Sequence, residues 1–156
     1  MPNADVTEAE ATGKRALVVR GGWDGHQPVA ATELFLPFLR DNGYEIRIED
    51  SPAVYADVEA MTATDLIVQC VTMSTIGREQ VAGLRAAVEA GTGFTGWHGG
   101  IADSFRDASD YLQLVGGQFA THPARRPEER PGGPADNYLD HTIEITPLGR
   151  SHPITA

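Results

Sequence analysis

A chain of 156 residues is about one domain long and hides roughly two-thirds of its unfolded surface on folding. Hydrophobic residues at 41% and charged residues at 22% exclude a disordered polar chain, and a formal net charge of -10 argues against nucleic acid and anionic membranes as partners. A single cysteine, Cys70, excludes an internal disulfide framework, and no stretch approaches the roughly 20 apolar residues of a membrane span.

Residues 1–13 are acidic and Ala/Thr-rich, without the basic start or apolar stretch of a secretion signal. They read as a flexible tail before a single domain over residues 14–156, and with the lone cysteine they point to a cytoplasmic protein. Residues 14–20 form a short apolar run stopped by Gly21-Gly22, the pattern of a buried parallel strand. Over residues 28–39, Ala31, Leu34, Phe35, Phe38 and Leu39 recur at helical spacing, with Pro37 expected to kink or shorten the last turn. Residues 44–48 read as a second strand, Ser51-Pro52 as the start of a short helix reaching Met61, and residues 65–70 as a third strand. Val81, Leu84 and Val88 share one face of a helix over residues 77–90, which Gly91 ends.

A fourth strand is expected over residues 93–97, a helix over 101–115 and a fifth strand over 116–121. Residues 124–137 have the composition of a long loop, read either as a lid or as an insertion, and residues 141–146 alternate like a more exposed last strand. Alternating strands and helices define an α/β fold, a doubly wound, flavodoxin-like and mostly parallel sheet with helices on both faces.

In such sheets ligands bind at the carboxyl ends of the strands. Three segments are expected there, each ending in or containing a histidine: Trp23-Asp24-Gly25-His26, Gly96-Trp97-His98-Gly99-Gly100 and Ala120-Thr121-His122-Pro123. The spacing Gly96-x-His98-x-Gly100 is that of a nucleophile elbow, in which a sharp strand-to-helix turn lifts one side chain above the sheet. Histidine in that position can serve as general acid or base, metal ligand or orienting hydrogen bonder, with the positive end of the following helix beneath the reacting group. In the plainer reading the glycines allow close helix packing and His98 only hydrogen-bonds a loop.

His26, His98 and His122 together form a candidate site for a divalent metal, although no His-x-x-x-His pair supports one. Asp24 and Asp103 are the candidate acidic partners, and Trp23 and Trp97 offer faces for a sugar ring or belong to the core. Arg125-Arg126 fits a salt-laced loop better than a ligand contact, Cys70 reads as a buried small hydrophobe, and no phosphate-cradling glycine loop is present.

Taken together, these stretches, with Ile101-Ala102-Asp103-Ser104-Phe105, Tyr111, Gly116-Gly117-Gln118-Phe119, His122-Pro123 and His152-Pro153-Ile154-Thr155, resemble the ThuA-like family, named for trehalose utilisation and related in fold to class I glutamine amidotransferases. The resemblance implies that His98 holds the amidotransferase nucleophile position, so that glutamine hydrolysis through a cysteine is not expected. It implies carbohydrate metabolism on trehalose-type disaccharides or their keto derivatives, with a small-molecule sugar as partner.

Catalysis would fall to His98, His26, His122 and Asp24, with Trp23, Trp97, Gly99, Gly100 and Asp103 at the substrate. The alternative is a sugar-binding or regulatory module without catalysis, and a third reading is a structural subunit of a larger assembly. Family members usually continue past the His-Pro-Ile-Thr segment, so the family's C-terminal part is expected to be missing, and an open edge strand would favour a homo-oligomer.

Overall fold

The computed structural model describes residues 13–120, 126–130 and 142–155. The chain divides into two compact units, Met1–Phe119 and Ala120–Ala156.

The first unit is built on four parallel strands: β1 (Lys14–Gly22), β2 (Tyr44–Glu49), β3 (Leu66–Thr72) and β4 (Gly93–Gly96). Their order in the sheet is β2-β1-β3-β4. β1 runs to Gly22 rather than stopping before the glycine pair, because Gly21 and Gly22 still pair with Val71 and Thr72 of β3. Both faces of the central strands are covered, which explains the unbroken apolar runs. Leu17, Val19, Ile67 and Val71 point to one core, closed by α3 (Val58–Thr62), α4 (Arg78–Ala90) and α6 (Ser109–Val115) through Met61, Val81, Leu84, Ala87 and Tyr111. Ala16, Val18 and Val68 point the other way, onto Leu36 and Leu39 of α2 (Leu36–Asp41). This is the doubly wound arrangement, and the strand order reverses between β1 and β3.

The helix expected over residues 28–39 is two helices, α1 (Pro28–Glu33) and α2. Proline lacks an N–H and crowds the carbonyl four residues back, so the break falls before Pro37, which then sits in the first turn of α2. The helix therefore continues to Asp41 instead of losing its last turn. Arg20, near the end of β1, ties α1 to the end of β2 by pairing with Glu33 at 3.1 Å and Asp50 at 2.8 Å.

Larger corrections concern the region after β4. The helix expected over residues 101–115 is a single turn, α5 (Gly99–Ala102), followed by an irregular stretch and then α6. Two long-range backbone bonds hold that stretch out of helical geometry: Met73 N–H donates to Asp103 O and Ser74 N–H to Ser104 O, both at 2.7 Å. Residues 116–120 are not a strand either. Gly116, at φ 76, caps α6, and the Phe119 N–H donates to Ala102 O rather than to a strand neighbour.

In the second unit, described in part, 3-10 turns span Pro127–Glu129 and Gly149–Ser151. Arg126 pairs there with Glu128 and Glu129. Residues 142–146 carry no strand, since alternation supplies a face but not a partner ladder, and Ile143 and Ile145 are exposed. His141 and Thr121 lie outside the described residues. Among the described residues no helix is long and apolar enough to cross a membrane.

Candidate functional site

The site begins where β1 and β3 end side by side. Trp23 N–H donates to Thr72 O at 2.8 Å, which turns the chain over the end of the sheet into a 3-10 turn, Asp24–His26. From that turn the half-buried His26 ring reaches back, and its Nδ1 lies 3.0 Å from the hydroxyl of Thr72, itself 1% exposed. A hydroxyl both donates and accepts, so this contact serves either imidazole tautomer.

β4 delivers the second histidine. His98 stands between β4 and α5 with φ 51 and ψ -140, a backbone conformation uncommon for a residue with a side chain, and its ring is exposed. The rings of His26 and His98 meet edge to face with centroids 4.7 Å apart, and Trp23 also meets His26 edge to face at 4.8 Å. Trp23, His26 and His98 therefore form one aromatic row over the strand ends, with Trp23 half exposed.

Gly99 and Gly100 are buried beneath this row. A Cβ on Gly99 would come within 2.7 Å of His26 Cε1, and one on Gly100 within 2.9 Å of Cys70 Cα. Both glycines thus serve the close approach of the turn to its neighbours. Cys70 is buried at that contact, and burial pushes its thiol pKa up, the opposite of an activated nucleophile.

A fully buried polar cluster fastens α5 from below. Gln69, in the middle of β3, has its Nε2 within hydrogen-bonding distance of Gly100 O, Ser104 Oγ and Tyr111 OH at 3.2, 2.9 and 2.7 Å, three acceptors that share its two hydrogens, while its Oε1 accepts from Tyr55 OH at 2.8 Å. The Tyr111 hydroxyl in turn donates to Ile101 O at 2.7 Å. Burial raises the pKa of both phenols, Tyr55 most strongly, so they remain neutral donors. This cluster holds the carbonyls of the turn that carries His98.

The remaining predicted residues fall elsewhere. Trp97 packs into the second core with its ring 4.6 Å from that of Phe35, on the α2 side of the sheet. Asp103 is 5% exposed, and both of its carboxylate oxygens are bound by the Arg106 guanidinium. Asp24 is exposed on the 3-10 turn, and the side chain at His26 Nδ1 is Thr72. His122 lies outside the described residues. Among those described, no three histidine, cysteine or acidic side chains gather closely enough to hold a metal ion.

The expected positive helix end beneath the site is also weaker than a long helix would give. α5 has four residues, and the N–H groups of Gly100 and Ala102 already donate to Trp97 O and His98 O.

Thr72 and Gln69 were not singled out by sequence reasoning. Gln69 had a signal, an amide side chain inside an otherwise apolar strand; Thr72 had none beyond closing that strand.

The family model for ThuA, trehalose utilisation, matches residues 15–156, and the chain belongs to this family. Among solved structures the fold is similar to that of a protein described as ThuA-like from Bacteroides uniformis ATCC 8492, with a TM-score of 0.54 and 18% sequence identity. The match covers 74% of this chain and 48% of that one, so this chain spans about half the length of that relative. A search of curated proteins finds no significant match.

Proposed function

We propose that the chain is an enzyme of sugar metabolism that acts on trehalose-type disaccharides or their keto derivatives by histidine acid/base chemistry. The observation that supports this reading is the contact of His26 and His98 at the carboxyl ends of β1 and β4, beside the point where strand order reverses. Two imidazoles in contact provide a proton acceptor and a proton donor at neutral pH, as removal of a proton from a hydroxyl or a carbonyl-adjacent carbon requires. His98 is the exposed member that meets substrate, and His26, braced by Thr72, is its partner. The half-exposed indole of Trp23 offers an apolar face to a sugar ring.

His98→Ala is expected to abolish turnover of trehalose or a keto derivative of it while circular dichroism stays native. Unchanged turnover ends the reading. Elemental mass spectrometry of the same two proteins tests the metal version: a stoichiometric divalent metal lost in the variant would make the histidines ligands.

The exposure of both His98 and Trp23 favours a second reading, a sugar-binding module, because an open face does not exclude water from a reaction. Trehalose binding by titration calorimetry with no product after long incubation would decide for it.

A further inference from the structure

The loop after β3, the first turn of α4 and the stretch leading into α6 line a cavity of about 590 Å³ that is open to solvent on one side, a volume within the range of roughly 300–1,000 Å³ usual for small-molecule sites. Its polar lining comes from Ser74, Thr75 and Arg78 on one side and Asp107, Ser109 and Asp110 on the other. The His26–His98 row is not part of this lining. We propose that this cavity is a second carbohydrate site, which takes a neutral, unphosphorylated sugar ring. The proposal rests on the sugar-handling reading above but not on the histidine chemistry.

The first support is the state of the polar groups. The walls are fixed, because Met73 and Ser74 are bonded through their N–H groups to Asp103 O and Ser104 O. Among the described residues, however, none of the six polar side chains forms a hydrogen bond or an ion pair within the chain. Arg78 faces the same cavity as two carboxylates without pairing to either. Immediately outside the cavity the chain behaves differently, since Arg106 binds both oxygens of Asp103. Thr75, Arg78, Asp107, Ser109 and Asp110 are exposed and Ser74 is half-buried, so the two braced walls present solvated donors and acceptors that a ligand can reach.

The second support is the kind of ligand this chemistry suits. Sugar hydroxyls donate to Asp107 and Asp110, accept from Arg78 and do both with Ser74, Thr75 and Ser109. Half-buried Ile76 and Ala108, which also line the cavity, offer apolar surface for the C–H face of a pyranose, with buried Phe105 and Val81 packed in the same lining. Two carboxylates against one guanidinium, on a chain of net charge -10, disfavour a phosphate group.

The test is a titration of ¹⁵N-labelled protein with trehalose, followed by amide shifts. The variants are His98→Ala, Arg78→Ala and the double variant Asp107→Ala/Asp110→Ala. Saturable shifts are expected at residues 74–78 and 105–110, retained in His98→Ala. Affinity should fall about tenfold or more in each cavity variant, as when a charged hydrogen-bond partner is removed. Arg78 and the two aspartates stand on different elements, so a folding defect in one variant leaves the other informative.

Shifts at the histidine row alone would overturn the cavity assignment and leave the proposed function standing. Cavity shifts without any turnover would do the reverse. No shift at any sugar concentration would overturn both, and tighter binding of glucose 6-phosphate than of trehalose would overturn the neutral-ligand assignment.

Discussion

The two turns that meet at the site are built to opposite standards. The α5 turn is fastened from below by Gln69, Tyr111 and Ser104, with buried glycines pressed against β3 and His26. The Trp23–His26 turn lies largely in solvent, held to β3 by the carbonyl and the hydroxyl of Thr72. The histidine on the first turn has its backbone fastened to the core, whereas the one on the second has its ring set by its neighbours, among them Thr72, Trp23 and His98. The lesson is that His98 and His26 respond to mutation through different routes, stability for one and ring orientation for the other.

The largest expected effect breaks the fastened side. Gln69→Leu strands the Tyr55 hydroxyl in the core and removes the amide that ties Gly100 O, Ser104 Oγ and Tyr111 OH together, and urea denaturation should show a loss of about 2–4 kcal/mol. A loss below about 1 kcal/mol would mean that the cluster does not hold α5.

The same side predicts alkaline behaviour. Tyr55 and Tyr111 have folded pKa values raised by burial above the ordinary phenol value of about 10, so their protons bind the folded state more tightly than the unfolded one. Their contribution to stability is complete below about pH 10 and is lost as pH rises beyond it. Denaturation midpoints should fall steeply there, and Tyr55→Phe should flatten the slope. An unchanged slope would assign the fall to other groups.

On the loosely held side, Thr72→Val preserves shape and removes the hydroxyl. We expect the imidazole ¹⁵N shifts of His26 to move, with about 1 kcal/mol lost, and Thr72→Ser to restore the shifts. If valine leaves them in place, Thr72 does not orient the ring. Trp23→Ala should be smallest, within about 0.5 kcal/mol, because the indole is half exposed, yet it should weaken sugar binding measured by calorimetry. Full binding by this variant would remove Trp23 from the site.

The sheet was legible in the sequence where burial on both sides left unbroken apolar runs, as in β1 and β3, and α4 where Val81, Leu84 and Val88 kept a helical period. The break between α5 and α6 was not, because it depends on bonds from Met73 and Ser74, some thirty residues away, to Asp103 and Ser104. The strand expected over 116–121 is absent from its described part, 116–120, for a similar reason: a strand is defined by its neighbour, and the Phe119 N–H is taken by Ala102 O. At the site, glycine spacing revealed the turn at His98, but nothing local showed that His26 would lie against it or that Thr72 would touch its ring. Asp103 illustrates the limit, since a carboxylate near a histidine in sequence is committed in space to Arg106.

The backbone of His98 has one further consequence. At φ 51 a side chain is held in a conformation that costs about 1–3 kcal/mol and that glycine adopts with little strain. Position 98 is therefore where durability and reactivity compete: selection for heat resistance alone would favour glycine there, and selection for chemistry would keep the imidazole at the expense of a lower melting temperature.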